Sequence, residues 1–147
     1  MSRAHKCWSL VSLVALSALA VGCNGGGQLK VEGKLQQNGT PVTHSGATET
    51  LLVTFKSADA AGGRSFTPAV AEATGAFTLA GGDGKGIPAG TYTVEVTCVP
   101  YGPPKPGRQG DRFQGRFAVG KSPLSVEIKP ETKSVTIDVG KGTATAS

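Results

Sequence analysis

The densest chemistry in the chain lies between Pro100 and Lys121. Lys105, Arg108, Arg112, Arg116 and Lys121 stand there against a single acid, Asp111, so the segment carries +4. Tyr101, Phe113 and Phe117 interleave with those bases. Guanidinium groups beside aromatic rings can hold acidic glycans, anionic lipid headgroups or the carboxylates of a partner, through paired hydrogen bonds and stacking. Pro100, Pro103, Pro104 and Pro106 stiffen the first half and make its ordering cheaper. A second arrangement fits the same residues: Phe113 and Phe117 plug one end of a β-sandwich while the arginines face water, where exposed pairs contribute little. The candidate ligand-binding set is therefore Tyr101, Lys105, Arg108, Arg112, Phe113, Arg116 and Phe117.

Catalytic chemistry finds less support. His44 is the one histidine outside the N-terminal segment, and it sits alone among Thr, Ser and Gly, without the clustering that a metal site requires. The carboxylates are spaced singly, and Glu32, Glu95, Glu127 and Asp138 alternate with apolar residues, as solvated strand faces do. Asp83-Gly84-Lys85-Gly86 supplies too few oxygens for a calcium loop. There is no Gly-x-Ser-x-Gly elbow and no Gly-x-x-x-x-Gly-Lys-Ser/Thr phosphate loop. Cys98 shares one face of an alternating segment with Tyr92, Val94 and Val96, the position of a buried thiol that packs as a small apolar residue. A non-enzyme without metal or cofactor is expected.

The N-terminus carries an address. Arg3 and Lys6 precede an apolar run, Trp8 to Val21, in the n-region and h-region order of a secretory signal. The run ends Leu19-Ala20-Val21-Gly22-Cys23 and passes into Asn24-Gly25-Gly26-Gly27-Gln28. Small residues before a cysteine resemble a bacterial lipobox, in which the thiol is acylated and the chain is cut ahead of it. Ala20 stands where leucine is commonest. Lipidation at Cys23 is expected, with a glycine-rich tether behind it; plain secretion with a nearby cysteine is the alternative. Loss of Arg3 and Lys6 leaves 13 bases against 10 acids, +3, too mild to argue for nucleic acid. Cys7 leaves with the signal and Cys23 is blocked, so Cys98 has no disulfide partner.

What must position these groups is a turn-rich β domain. Gly 22 and Pro 9 among 147 residues, with 5% aromatics, suit strands joined by turns rather than helices. Leu29, Val31, Gly33 and Leu35 share one face; Asn38-Gly39 marks a tight turn. Leu51, Val53 and Phe55 face together. Pro68–Ala80 is a hairpin candidate around Thr74-Gly75, with Phe77 and Leu79 inward, and Thr91–Val99 is the clearest strand. Leu124, Val126 and Ile128, then Val135, Ile137 and Val139, alternate with polar residues. About seven short strands and no helical period predict a single all-β, immunoglobulin-like or transthyretin-like sandwich. The expected organisation is a signal peptide over 1–22, a lipidated cysteine and tether over 23–28, the sandwich over 29–139 and a frayed tail over 140–147.

Val31-Glu32-Gly33-Lys34-Leu35 followed by Asn38-Gly39-Thr40-Pro41-Val42 resembles the first strand and turn of carboxypeptidase regulatory-like domains. Ala73-Thr74-Gly75-Ala76-Phe77-Thr78-Leu79, then Ile87-Pro88-Ala89-Gly90-Thr91-Tyr92, resembles their second signature: a turn glycine before an aromatic strand, then a Pro-x-Gly-x-Tyr opening. Ser122-Pro123-Leu124-Ser125-Val126-Glu127-Ile128 is similar to small planctomycete lipoproteins that carry this domain. An acid before Gly75 is missing, and the stretch from Pro41 to Leu51 is longer than in the family. The resemblance implies a transthyretin-like accessory sandwich outside the cell. It does not extend to the histidines and tyrosine-containing C-terminus of the transthyretin-related hydrolase, nor to a zinc-bearing carboxypeptidase domain.

The function expected is therefore a non-catalytic module anchored in the cell envelope, periplasmic or at the surface, held to the membrane by its lipid and serving structure or protein interaction. The alternative is capture of acidic polysaccharide or an anionic surface through loop 100–121. An envelope protein or acidic glycan is the expected partner. Self-association through an edge strand stays open.

Overall fold

A computed structural model describes residues 27–58, 63–102 and 110–147. Cys23 with the signal segment, and Lys105 and Arg108, lie outside these residues. The described chain is an all-β sandwich of nine strands in two sheets.

The first sheet is built on β1 (Val31–Gln37). One of its edges pairs antiparallel with both β2 (Thr40–Pro41) and β5 (Ala76–Leu79); the other pairs in parallel with β8 (Ser134–Asp138), which in turn pairs with β9 (Thr143–Ala146). The second sheet runs β4 (Ser65–Phe66), β3 (Glu49–Ser57), β6 (Gly90–Pro100), β7 (Ser125–Ile128). All nine residues of β3 pair with β6, from Glu49↔Pro100 to Ser57↔Tyr92. Against the seven strands expected from alternation, the two-residue β2 and β4 and the C-terminal β9 are added, and the stretch 68–73 is not a strand.

Alternation places the core as expected. Val31, Leu35, Phe77, Leu79, Val135 and Ile137 of the first sheet meet Leu51, Val53, Phe55, Tyr92, Val94, Val96 and Cys98 of the second, all buried. Phe55 joins the layers, its ring 5.8 Å from Phe77 and 6.4 Å from Tyr92. The Tyr92 hydroxyl donates to the Pro88 carbonyl at 2.7 Å, satisfying its one polar atom where the ring is buried.

Three expectations need correction. The segment 140–147 is not a frayed tail: β9 takes up the free edge of β8, and Ser147 closes the ladder by exchanging backbone hydrogen bonds with Ser134. Its Thr-Ala-Thr-Ala sequence has too little apolar bulk to signal a strand, but pairing needs backbone, and Gly142 at φ 69° makes the preceding turn accessible. Pro68–Ala80 is not a full hairpin; a single bridge, Val70↔Phe77, meets β5, whose main partner is β1. Finally, Asp138 and Glu95 are not solvated. They are 3% and 6% exposed, because turns and a loop fold over their outward positions.

Candidate functional site

The segment after β6 closes an edge. β6 has eleven residues and β7 four, so most of one β6 edge would be left bare. Residues 111–124 cover it: Val94 N–H donates to Leu124 and Val96 N–H to Phe117, both at 2.9 Å, and Arg112 N–H donates to the Cys98 carbonyl at 2.8 Å. Asp111 completes the seam, accepting from Cys98 N–H at 2.7 Å and, with its other oxygen, from Gly115 N–H at 2.8 Å. Successive i to i+3 bonds, Gln114 to Asp111, Arg116 to Phe113 and Ala118 to Gly115, coil the segment so that Phe113 and Phe117 point inward.

This decides between the two arrangements of the aromatic residues. Phe113 and Phe117 are 8% and 1% exposed and pack edge to face with centroids 6.2 Å apart. They belong to the core and present no ring to a ligand. Tyr101 does: it is 49% exposed, with its backbone N–H held by the Thr48 carbonyl. Arg112 is committed internally, donating from Nη1 to the Thr43 carbonyl at 2.8 Å and pairing through Nη2 with Glu49. Arg116 is exposed, its guanidinium carbon 5.3 Å from the centroid of the Phe117 ring. Of the seven candidate residues, Arg112, Phe113, Arg116 and Phe117 are brought together, while Tyr101 follows the end of β6 with its backbone tied to Thr48.

Two features of this end were not legible as site chemistry. The Arg116 guanidinium reaches across to the β8–β9 turn, where a Cβ on Gly142 would lie 3.5 Å from Nη2, so Lys141 joins the same end. The acids there are largely turned inward: Asp111 and Asp138 are consumed by backbone N–H groups, and Glu49 by Arg112, leaving Glu72 exposed. A shallow cleft of about 410 Å³ opens between the β1–β2 turn and Arg112, lined also by Asn38, Thr40 and Thr43. His44 is not a solvated loop residue. It is half-buried, with its backbone N–H on the Glu72 carbonyl and its Nδ1 buried without a hydrogen-bond partner. Among the described residues no group of three or more His, Cys, Asp or Glu is gathered to hold a metal.

Cys98 lies beneath this end, fully buried. Burial pushes its thiol up to about 11, a hydrogen bond to Glu49 adds to the rise, and the Arg112 guanidinium pulls the other way. A thiol that high and that enclosed is a poor nucleophile. In the native protein Cys98 is expected to react with a thiol reagent at neutral pH only as fast as the chain unfolds, and at once in denaturant; rapid labelling without denaturant would show an open, activated thiol.

No family model, curated protein or solved structure matches the chain.

Proposed function

We propose that the chain is an exported, non-catalytic β-sandwich module, anchored to the envelope membrane through lipid on Cys23, that presents its arginine end to envelope partners. The observation that carries this reading is the polarity of the domain. The chain joins the sandwich at Leu29, which bridges to Ile87, beside the start of β6; Arg112 and Arg116 lie toward the other end, beside the last residues of β6. Eleven strand residues span about 35 Å. The six steps from Cys23 to Leu29 reach at most about 20 Å. An upright domain on this tether carries the arginine end away from the membrane that holds it.

Assignment to the carboxypeptidase regulatory-like class is part of the proposal. It is supported by Asn38-Gly39 forming the β1–β2 turn, by Gly75 at φ 63° just before β5, and by Gly90 opening β6.

The test is fractionation of the full chain made in a bacterium that processes lipoproteins. The parent chain is expected in the membrane pellet and Cys23→Ser in the soluble fraction; a Cys23→Ser protein still pelleting with membrane would overturn the anchor. A second reading, capture of acidic polysaccharide, is favoured by the inward turn of the acids beneath exposed Arg116 and Lys141. It requires that binding to isolated envelope fall both on raising salt from about 0.05 M to about 0.5 M and in an Arg116→Gln/Lys141→Gln chain, because exposed charge contacts are screened. Binding indifferent to both would remove it.

A further inference from the structure

We propose that two copies of this chain pair through the outer face of the β4–β3–β6–β7 sheet. The two outer faces of the sandwich differ in kind. On the first sheet, β1 presents Glu32 and Lys34, with Lys30 just ahead of them, all exposed, as a solvated face does. On the second, β3 and β6 present threonines and apolar residues. Leu52 and Val99 are 46% and 45% exposed, and the register Leu52↔Thr97 and Thr50↔Val99 makes them diagonal neighbours. Tyr101 extends the same β6 row at 49% exposure. Val119, at 69%, stands on the loop beside this face, since the next residue, Gly120, donates its N–H to Glu95 on the face itself at 3.1 Å.

Three arguments make a second copy the occupant. The first is charge. The only ionised side chains on the β3 and β6 outer rows, Lys56 and Glu95, pair with each other at 3.0 Å, and Glu95 is buried as well. On β7 the outward Glu127 is paired with Lys129 at 3.6 Å, so the ionised side chains of these three strands are matched in sign and the face meets little repulsion against itself, as a two-fold interface requires. The second is size. The four strands, of two, nine, eleven and four residues, cover roughly 400 Å² of flat footprint. The side chains of Leu52, Val99, Tyr101 and Val119 add relief to it, and the contact stays below the ~800 Å² per partner of a standard interface, the size of a pairing that a shared membrane would reinforce.

The third argument rests on the tether reading. A two-fold axis along the strands, the direction in which sheets stack face to face, leaves both Leu29 ends on the same side. Two copies anchored in one membrane can pair this way without lifting either lipid. Both arginine ends then point outward together, which doubles the charge shown to any partner beyond.

The experiment uses the full lipidated chain in its own membrane. Leu52→Cys places a thiol near the centre of the face, and Lys34→Cys places one on the opposite sheet; buried Cys98 is a silent background. A short bis-maleimide should give a species of twice the chain's mass from Leu52→Cys, roughly tenfold above that from Lys34→Cys. Adding Val99→Glu should remove it by a similar factor while leaving the thermal midpoint where it was, because the change lies on an exposed position. Equal yields from the two positions, an adduct of some other mass, or insensitivity to Val99→Glu would each overturn pairing. The soluble Cys23→Ser chain separates the two proposals: sedimentation that shows dimers rising with concentration supports pairing whether or not the lipid anchor stands, and a monomer at all concentrations refutes it.

Discussion

Asp138→Ala should cost the domain about 3 kcal/mol, and with it the geometry of the arginine end. The Asp138 carboxylate is 3% exposed and accepts four backbone N–H groups: Asn38 at 2.8 Å, Gly140 at 3.0 Å and Lys141 at 3.1 Å on Oδ1, and Gly39 at 3.1 Å on Oδ2. The Gln36 amide adds a fifth bond at 3.2 Å. These donors belong to two turns, β1–β2 and β8–β9, so one side chain from β8 clasps both. Alanine leaves them without an acceptor in a space too closed for free hydration, and each unsatisfied donor costs roughly 1–3 kcal/mol where water cannot replace the bond. Partial access of water to the turns brings the sum down to the lower value. For a domain of this size the midpoint should fall by roughly 10 °C.

The same carboxylate sets a pH dependence. Burial alone would push the Asp138 carboxyl up, but the N–H groups of Asn38, Lys141 and Gly39 and the Gln36 amide outweigh it and hold the group below its usual range. A carboxyl depressed in the folded state stabilises fully above its unfolded value, about 3.9, and loses that contribution as pH falls through the lower folded value. The parent midpoint should therefore drop steeply below about pH 4. Asp138→Asn keeps one acceptor oxygen and cannot titrate, so it should start lower at neutral pH and lose less in acid. Parallel curves for the two proteins, measured by thermal melts across pH, would show that another carboxyl governs the acid limb.

The strands were legible wherever one face is apolar. Period-two alternation marks β3, β6 and β8 because each buries every second residue against the other sheet, and the same pattern placed Cys98 correctly in the core. Alternation says which way a side chain points and nothing about what lies above it. Glu95 points outward as its position requires, yet Lys56 and Gly120 cover it. Asp138 likewise faces out from β8 into two turns that no local pattern connects to it.

At the arginine end, composition singled out a segment without showing what holds it in place. Five bases and three aromatics in 22 residues suggested a recognition loop. What holds residues 111–124 in place is the unpaired edge of β6, a demand set by the difference in length between β6 and β7 and thus invisible within the loop. Phe113 and Phe117 answer to the core. Arg112 answers to Glu49, 63 residues away in sequence, a pairing that only the β3–β6 register creates. Arg116 stays exposed, as does Lys141 with its Nζ 4.0 Å from Asp138, and Lys141 drew no notice because it lies beyond the last apolar strand, in a segment too small and polar to suggest a strand.

Gly33→Ala should be nearly as damaging as removing a core phenylalanine, although it adds only one methyl group. Gly33 pairs directly with Phe77 across β1 and β5. The Phe77 ring lies over the glycine so closely that a Cβ there would fall 1.9–2.4 Å from three ring carbons. The ring cannot tilt away cheaply, since it is 3% exposed and packed against Phe55 at 5.8 Å. It must leave its place, and a displaced core aromatic costs on the order of 3–5 kcal/mol, the range for Phe→Ala itself. The clash also predicts how the two substitutions combine. With Phe77→Ala already made, the space above Gly33 is empty, so adding Gly33→Ala should cost little and can even recover a few tenths of a kcal/mol by restricting the unfolded chain. A double-mutant cycle by denaturant unfolding should therefore give a coupling of at least ~2 kcal/mol, where independent sites add to within about 0.5 kcal/mol. Additive losses would mean that the ring does not rest on Gly33, and that the two sheets meet near Phe55 by some other packing.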